Sequence, residues 1–429
     1  MHLSRTRVTV AGAVCLLAAA CTGGAPAAPS GGGGSGAGGG GDKGSLTYLL
    51  EEPEDAKALS ALEAHIAGFE KESGVKVEMR TLPFYTLRTV LQTQLRSGDG
   101  PDVFSYGSGP GFGGALAKAG LVKDLTAAYE ERDWKVYDFA KERVTFDGKT
   151  YGVPGELETI GLFYNKAVFT ELGLQPPKSL DELRAAADKI KASGRTAFAV
   201  GDKEGYEGGH LLSMALSSAI GSDGMEELFA GTRSWDSPEV VAALSLWKDF
   251  NAAGYLPKSP TSVDYDTSIA QFFSGEAAMI PTGSWLIGEI EDETKFEVGY
   301  IPFPAPDGPG VFTSGLGSGP YVSASTDNPD GALEFVDFLA SPEHGAWTVE
   351  NLNTIPPQEI DVTKVKASPL LSQVLKDTAA VTGDSGFGYN IDVMVSDKLK
   401  KAMEDGFQGV LTGQRTPQQV AASLEAARS

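Results

Sequence analysis

Cysteine is almost absent. The 429 residues hold only Cys15 and Cys21, both close to the N-terminus. Everything after Cys21 therefore has no disulfide and no thiolate metal site, and its fold must rest on its core. At this length a large core, split over more than one lobe, is expected. Histidine is scarce too. His2, His65, His210 and His344 lie far apart in sequence, which argues against a histidine metal cluster. Positive charge is in deficit, with 35 Lys and Arg against 57 Asp and Glu and a net charge of −22. Such a body repels phosphate backbones and anionic lipid, which argues against nucleic acid and membrane-surface partners. The patterns H-E-x-x-H, C-x-x-C, G-x-S-x-G and G-x-x-x-x-G-K-[ST] are all missing, so no standard catalytic motif and no cofactor is indicated. Long hydrophobic runs are missing as well. The apolar run Val8–Ala20 falls short of the ~20 residues that a spanning helix needs.

What is present begins at that run. Arg5 and Arg7 precede it, which is the charge pattern of a secretory signal over residues 1–20. It ends in LAAAC, which resembles a bacterial lipoprotein processing site, with Ala18 where leucine is usual and Leu17 one position back. Cys15 would be removed and Cys21 would become a lipidated N-terminus, the only membrane link. Residues 21–45 are rich in Gly and Ser and read as a flexible tether, with a mean reach on the order of 25 Å.

From Leu46 the pattern alternates. LTYLL, VKVEM and DVFSY read as strands, and Leu59, Leu62, Ile66, Phe69 and Leu87, Leu91, Leu95 fall at helical spacing between them. A second series follows, with strands at GLFYN, AFAV and AAMIP. Helices start at Ser179 with Glu182 three residues on, at Ser237-Pro238 and at Asn328-Pro329. The segment from Ser396 to Ser429 reads as two helices broken at TGQRTP. In the first series the alternation of strands and helices argues for an α/β lobe with a largely parallel sheet. Two such series with no floppy linker suggest two lobes around a cleft, a common ligand site.

Two local patterns invite chemistry. YGSGPGFGG carries G-x-G-x-x-G on Gly109, Gly111 and Gly114 between a strand and a helix. A dinucleotide fingerprint sits at the first strand–helix turn of its domain, however, and two strand–helix units precede this one. Glu156 and Glu158 in GELET are two apart, so in a strand they face the same way. A hydrolase pair sits ~5–9.5 Å apart, and these two are the nearest glycosidase-like candidates.

At this point the residues carry a resemblance. AHIAGFEKESGVKVEM, LQTQLRSGDGPDVFSYG, GKTYGVPGELETIGLFYNKAVFTELGLQPPKSLDELRAAADKI, SIAQFFSGEAAMIPTGSWLIGEI and GLGSGPYVSASTDNPDGALEFVDFLASPEHGAW follow one another. In that order they resemble the extracellular solute-binding proteins, the maltose-binding-protein-like family, from Leu46 to the C-terminus. The resemblance implies an α/β, two-lobed periplasmic-binding-protein-like (type II) fold with a hinge and an inter-lobe ligand cleft. It places lobe one at 46–155 and 312–367 and lobe two at 156–311 and 368–429. It implies a monomeric substrate-binding lipoprotein of an ABC importer, exported and anchored to the outer face of the cytoplasmic membrane. It would capture a mono- or oligosaccharide and hand it to a permease. A polyol, glycerol phosphate or polyamine binder, a receptor feeding a sensor kinase and an exported glycosidase remain alternatives.

A sugar site needs aromatic platforms for ring faces and fixed polar groups for hydroxyls. Carboxylates suit the second task because charge-assisted hydrogen bonds are the stronger ones. By the resemblance, Trp285 in PTGSW matches a stacking tryptophan, the alternative being a core residue. Tyr206 and Glu204 match the family's aromatic and its neighbouring carboxylate, and Glu158 matches the hinge carboxylate. Glu51 and Glu52 follow the first strand, where polar ligand groups often stand. Tyr106 matches a second stacking position, or else packs in the core. Asn390 and Asp392 are hydroxyl partners in place of a tryptophan expected there. Ser108 lies where maltose binders carry an Asp-Arg pair, which argues against a maltose-like ligand. Gly315 and Gly317 could present backbone amides.

Overall fold

The computed structural model describes residues 43–53, 56–381 and 386–428. The signal sequence, Cys21 and residues 21–42 of the tether lie outside them. Among the described residues no helix is long and apolar enough to cross a membrane.

The smaller sheet runs in the order Gly319–Val322, Val103–Tyr106, Ser45–Glu51, Lys76–Leu82. Ser45–Glu51 pairs in parallel with both of its neighbours, and Gly319–Val322 is antiparallel to Val103–Tyr106. The helices Ala56–Ser73 and Phe84–Ser97 make the crossovers. Alternation along the central strand divides the core. Leu46, Tyr48 and Leu50 pack with Leu62, Ile66, Phe69 and Phe335. Leu49 packs on the other face with Leu87, Leu91, Phe104 and Tyr106.

In the larger sheet the nine-residue strand Leu157–Asn165 is central. Ala277–Gly283 pairs along one side of it, antiparallel. Thr313–Leu316 and Val298–Ile301 share the other side, each taking one half. Thr196–Phe198 and Gly388–Tyr389 complete the sheet. One face is covered by residues of the helices Leu180–Ala192, Glu207–Ala230, Pro238–Ala252, Asp397–Leu411 and Pro417–Ala427. The other face is covered by Tyr265–Phe273, Ile287–Glu293 and Pro369–Val381. Caps set several of these boundaries. Ser179 accepts from the Glu182 amide, Asn328 from the Gly331 amide, and Thr416 forms a capping box with Gln419.

Only two residues separate Thr313–Leu316 in the larger sheet from Gly319–Val322 in the smaller. The segment 152–158 runs antiparallel beside this passage. Gly152 bridges Tyr321, the Val153 amide donates to Pro320, the Gly317 amide donates to Glu156, and Leu157 pairs with Leu316. Two extended segments therefore cross together from sheet to sheet.

Trp247 anchors the helical face of the larger sheet. It is fully buried, packs near Phe250 and Phe303, and donates from Nε1 to the Leu211 carbonyl at 2.8 Å. Trp247→Ala should cost about 3–5 kcal/mol, measured by urea unfolding. A cost under about 1 kcal/mol would contradict this packing.

Candidate functional site

The paired crossing assembles the site. Glu158 lies opposite Gly315 in register, and Glu156 just precedes the strand. A Cβ on Gly315 would stand 3.3 Å from Glu158 Oε2. One on Gly317 would stand 2.8 Å from Glu156 Oε1 and 3.0 Å from Glu158 Oε1. The two glycines thus leave room for two carboxyls that converge on one point, as the i, i+2 spacing predicts. Burial pushes Glu156 up to about 7. Burial, then the Glu156 charge, and further Asp392 and Glu51, push Glu158 up to about 8, against the opposing pull of His210. Glu51, exposed like Glu52 and Glu204, acts on this group by its charge from the end of the smaller sheet's central strand.

His210 is the cation of the cluster. It is 8% exposed, and its Nδ1 lies 3.5 Å from Glu207 Oε1. Burial alone would depress its pKa. The Glu207 carboxylate, with Asp392 and Glu158 behind it, overrides that and raises it to about 9. Asp392 pairs with Lys400 at 3.3 Å, and its buried Oδ1 accepts no hydrogen bond. Asn390 is buried beside Gly315; its Oδ1 accepts from Ser213 and its amide donates to Ser314. Neither His210 nor Glu207 was singled out from sequence. Their only signal there is E-G-G-H, a carboxylate and an imidazole one helical turn apart, directly after Tyr206.

Trp285 stands over this cluster. At 36% it is the exposed large hydrophobic side chain among the described residues. Its indole lies across Gly283, where a Cβ would be 1.8 Å from Cζ3. Nε1 donates to the Tyr265 hydroxyl at 2.8 Å, and that hydroxyl meets Thr282 Oγ1 at 2.7 Å. His210 lies 5.5 Å from the indole by ring centroids, and Tyr206 lies 6.0 Å from His210 and 6.1 Å from Tyr265. The result is an aromatic wall beside a carboxyl-lined floor.

Tyr106 goes elsewhere. It is 4% exposed and packs edge-on against Phe104 and Phe112 in the smaller sheet's core. This ring offers no free face, which corrects its reading as a platform. Two residues apart on one strand, Phe104 and Tyr106 point to the same buried side. Ser108 is buried as well and donates to the Leu316 carbonyl at 3.4 Å. The glycine loop spends its amides internally. Gly109 donates to Arg143, Gly113 to Gly107 and Gly114 to Gly109. A pyrophosphate cradle needs such amides free, so the loop does not act as one. Gly109, at φ +88°, turns the chain against the Val393 carbonyl.

Two outcomes follow. Glu156, Glu158 and His210 hold protons more tightly than their ordinary values of 4.5, 4.5 and 6.5, with folded values of about 7, 8 and 9. Their stabilisation is complete below the ordinary values and is lost as pH rises through the folded ones. The unfolding midpoint should fall from pH 7 to pH 9, above the range in which the depressed His65 and His344 act in the opposite sense, and Glu158→Gln should flatten that fall and raise the midpoint at pH 8. An unchanged slope in the variant would contradict the buried carboxyl. Separately, Gly283→Ala should displace the indole and increase acrylamide quenching of tryptophan emission. The midpoint should change little, because an exposed ring can swing outward. Unaltered quenching would contradict the stacking on Gly283.

Comparison with known proteins places this geometry. Residues 53–346 match the bacterial extracellular solute-binding protein family. The chain is 28% identical over 312 residues to the multiple sugar-binding protein of Streptococcus mutans, covering 70% of this chain and 72% of that protein. It is 26% identical over 382 residues to the galactooligosaccharide-binding protein of Bacillus subtilis, covering 85% of each. Alignments to such relatives span from 62% to 85% of the relatives' own lengths. Among solved structures, a chitin oligosaccharide binding protein superposes with a TM-score of 0.78 at 25% identity, over 90% of this chain and 98% of that one. With more than half of its length matched, the chain belongs to the bacterial extracellular solute-binding protein family.

Proposed function

We propose that this protein is the substrate-binding component of an ABC importer and captures a carbohydrate between Trp285 and the carboxyls of Glu156, Glu158 and Asp392. The observation that carries the reading is the indole itself, partly exposed, fixed by Gly283 beneath it and Tyr265 at its edge. A rigid aromatic face beside clustered hydrogen-bonding groups matches a sugar's apolar ring face and hydroxyl rim. The named relatives bind multiple sugars and galactooligosaccharides, which supports the same class here. Tyr206, Glu51 and Asn390 complete the site, with Gly315 and Gly317 giving it depth.

The protein binds without catalysing. Hydrolysis by a carboxyl pair needs one acid protonated and the other ionised. Glu156 and Glu158 are both raised by burial, and it is the solute-binding family and its sugar-binding relatives that support binding alone. The signal sequence and Cys21 fit export and lipid anchoring, and a closed ligand-bound form would dock on the permease. The lobes would meet near Pro154–Glu158 and Val311–Gly315.

A screen of mono- and oligosaccharides by calorimetry and tryptophan fluorescence should find binding without turnover of chromogenic glycosides. Trp285→Ala should weaken that binding by about 2 kcal/mol, roughly thirtyfold, with the fold intact. No response to any saccharide, or unchanged affinity in the variant, would overturn the reading.

A further inference from the structure

A small recess, with room for about one water-sized group, is lined by Ser108, Gly109, Arg143, Ser314, Gly315 and Met394 among others. It contains a cation without a counterion. The Arg143 guanidinium lies 4.1 Å over the Tyr389 ring and directs Nη1 at the Met394 sulfur. Among the described residues no oxygen accepts a hydrogen bond from it, and no carboxylate comes within ion-pair distance. The nearest acids act from further off. Glu142 is its chain neighbour, and Glu226 reaches it through the Tyr389 hydroxyl, which donates to Glu226 Oε1. The other cations of this region are paired, Lys400 with Asp392 and His210 with Glu207.

Burial pulls the Arg143 pKa down, with Tyr389, Glu142 and Glu226 opposing, yet a guanidinium keeps its proton in proteins. A desolvated charge with no partner is costly, and this chain carries 57 acids against 35 bases. An arginine left unpaired in such surroundings, facing a recess, is poised for a partner that arrives from outside.

We propose that Arg143 forms an anion subsite of the ligand cleft and takes the carboxylate of an acidic sugar, a uronic acid or a saccharide that carries one. This rests on the carbohydrate reading above and names the ligand class more closely. A planar guanidinium matches a planar carboxylate in a two-point contact. One arginine supplies one charge, which suits a carboxylate better than a phosphate dianion. Gly315 lines this recess, and its Cβ direction also points at Glu158 Oε2. A sugar can therefore present hydroxyls to Glu158 while its carboxylate reaches Arg143. Burial raises both Glu156 and Glu158, so the pair carries less negative charge near neutral pH than two ordinary carboxylates would.

The test compares galacturonate and glucuronate with galactose, glucose and their 6-phosphates, as free sugars and as disaccharides, by calorimetry. In the wild type a uronate should bind at least about tenfold tighter than its neutral parent. Arg143→Ala and Arg143→Gln should abolish that advantage and leave the neutral parent's affinity within about threefold. Arg143→Lys keeps the charge, loses the fork, and should retain only part of the advantage; it also serves if the alanine variant fails to fold. A purely structural Arg143 would weaken both ligands alike, which would overturn the proposal. Equal wild-type binding of uronate and parent, or a preference for the sugar phosphate, would overturn it too. If neutral sugars bind through Trp285 without a uronate preference, the carbohydrate reading stands and this one falls. If no saccharide binds, the carbohydrate reading falls and this one with it.

Discussion

The antiparallel pairing of segments 152–158 and 315–321 is the constraint on which the site depends. Backbone hydrogen bonds hold its register, from the Gly152–Tyr321 bridge to the Gly315–Glu158 pair. A slip of one residue would turn every side chain to the opposite face. Glu156 and Glu158 would then leave the space that Gly315 and Gly317 open for them. The same pairing stitches the smaller sheet to the larger one. Tyr321, fully buried beneath Gly113 and Gly152, wedges that junction from the other side. One stretch of extended backbone thus joins two sheets and sets the floor of the site.

Electrostatics gives that floor its character. Glu156, Asp392 and Glu51 act on Glu158, Glu207, Asp392 and Glu158 act on His210, and Lys400 adds a second cation at Asp392. Bringing acids together in a poorly hydrated place raises their affinity for protons. Groups such as Asp392 Oδ1, buried with no hydrogen bond, remain available to a ligand that supplies a donor. A site of this kind discriminates because the wrong ligand leaves such groups unpaired. Arg143 is the complementary case, a cation with no carboxylate within ion-pair distance among the described residues.

Much of the scaffold was legible along the chain. Period-two strands, helical stripes such as Leu87, Leu91 and Leu95, and caps at Ser179 and Asn328 are local signals, and each element formed where its signal lay. Trp285 and Tyr106 show the limit. Both matched stacking positions, but one indole rests on a glycine with its edge tied to Tyr265, while the other ring turned inward with Phe104. That difference lies in what packs beneath each ring. The helix Glu207–Ala230 gave little warning either, since its first turns are buried nearly all round and carry no amphipathic stripe. His210 and Glu207 were hidden with it.

The sequence by itself determined the absence of disulfides, the acidic balance, the strand–helix alternation and the family resemblance, because these are properties of composition and of neighbours along the chain. Only the tertiary structure decided which carboxyls share one space and which aromatic ring stays open. It also decided that Arg143 stacks on an aromatic ring instead of pairing with a carboxylate. Those outcomes depend on contacts between residues far apart in sequence, such as Glu158 with Gly315 or Arg143 with Tyr389, and no local pattern encodes a distance across a fold.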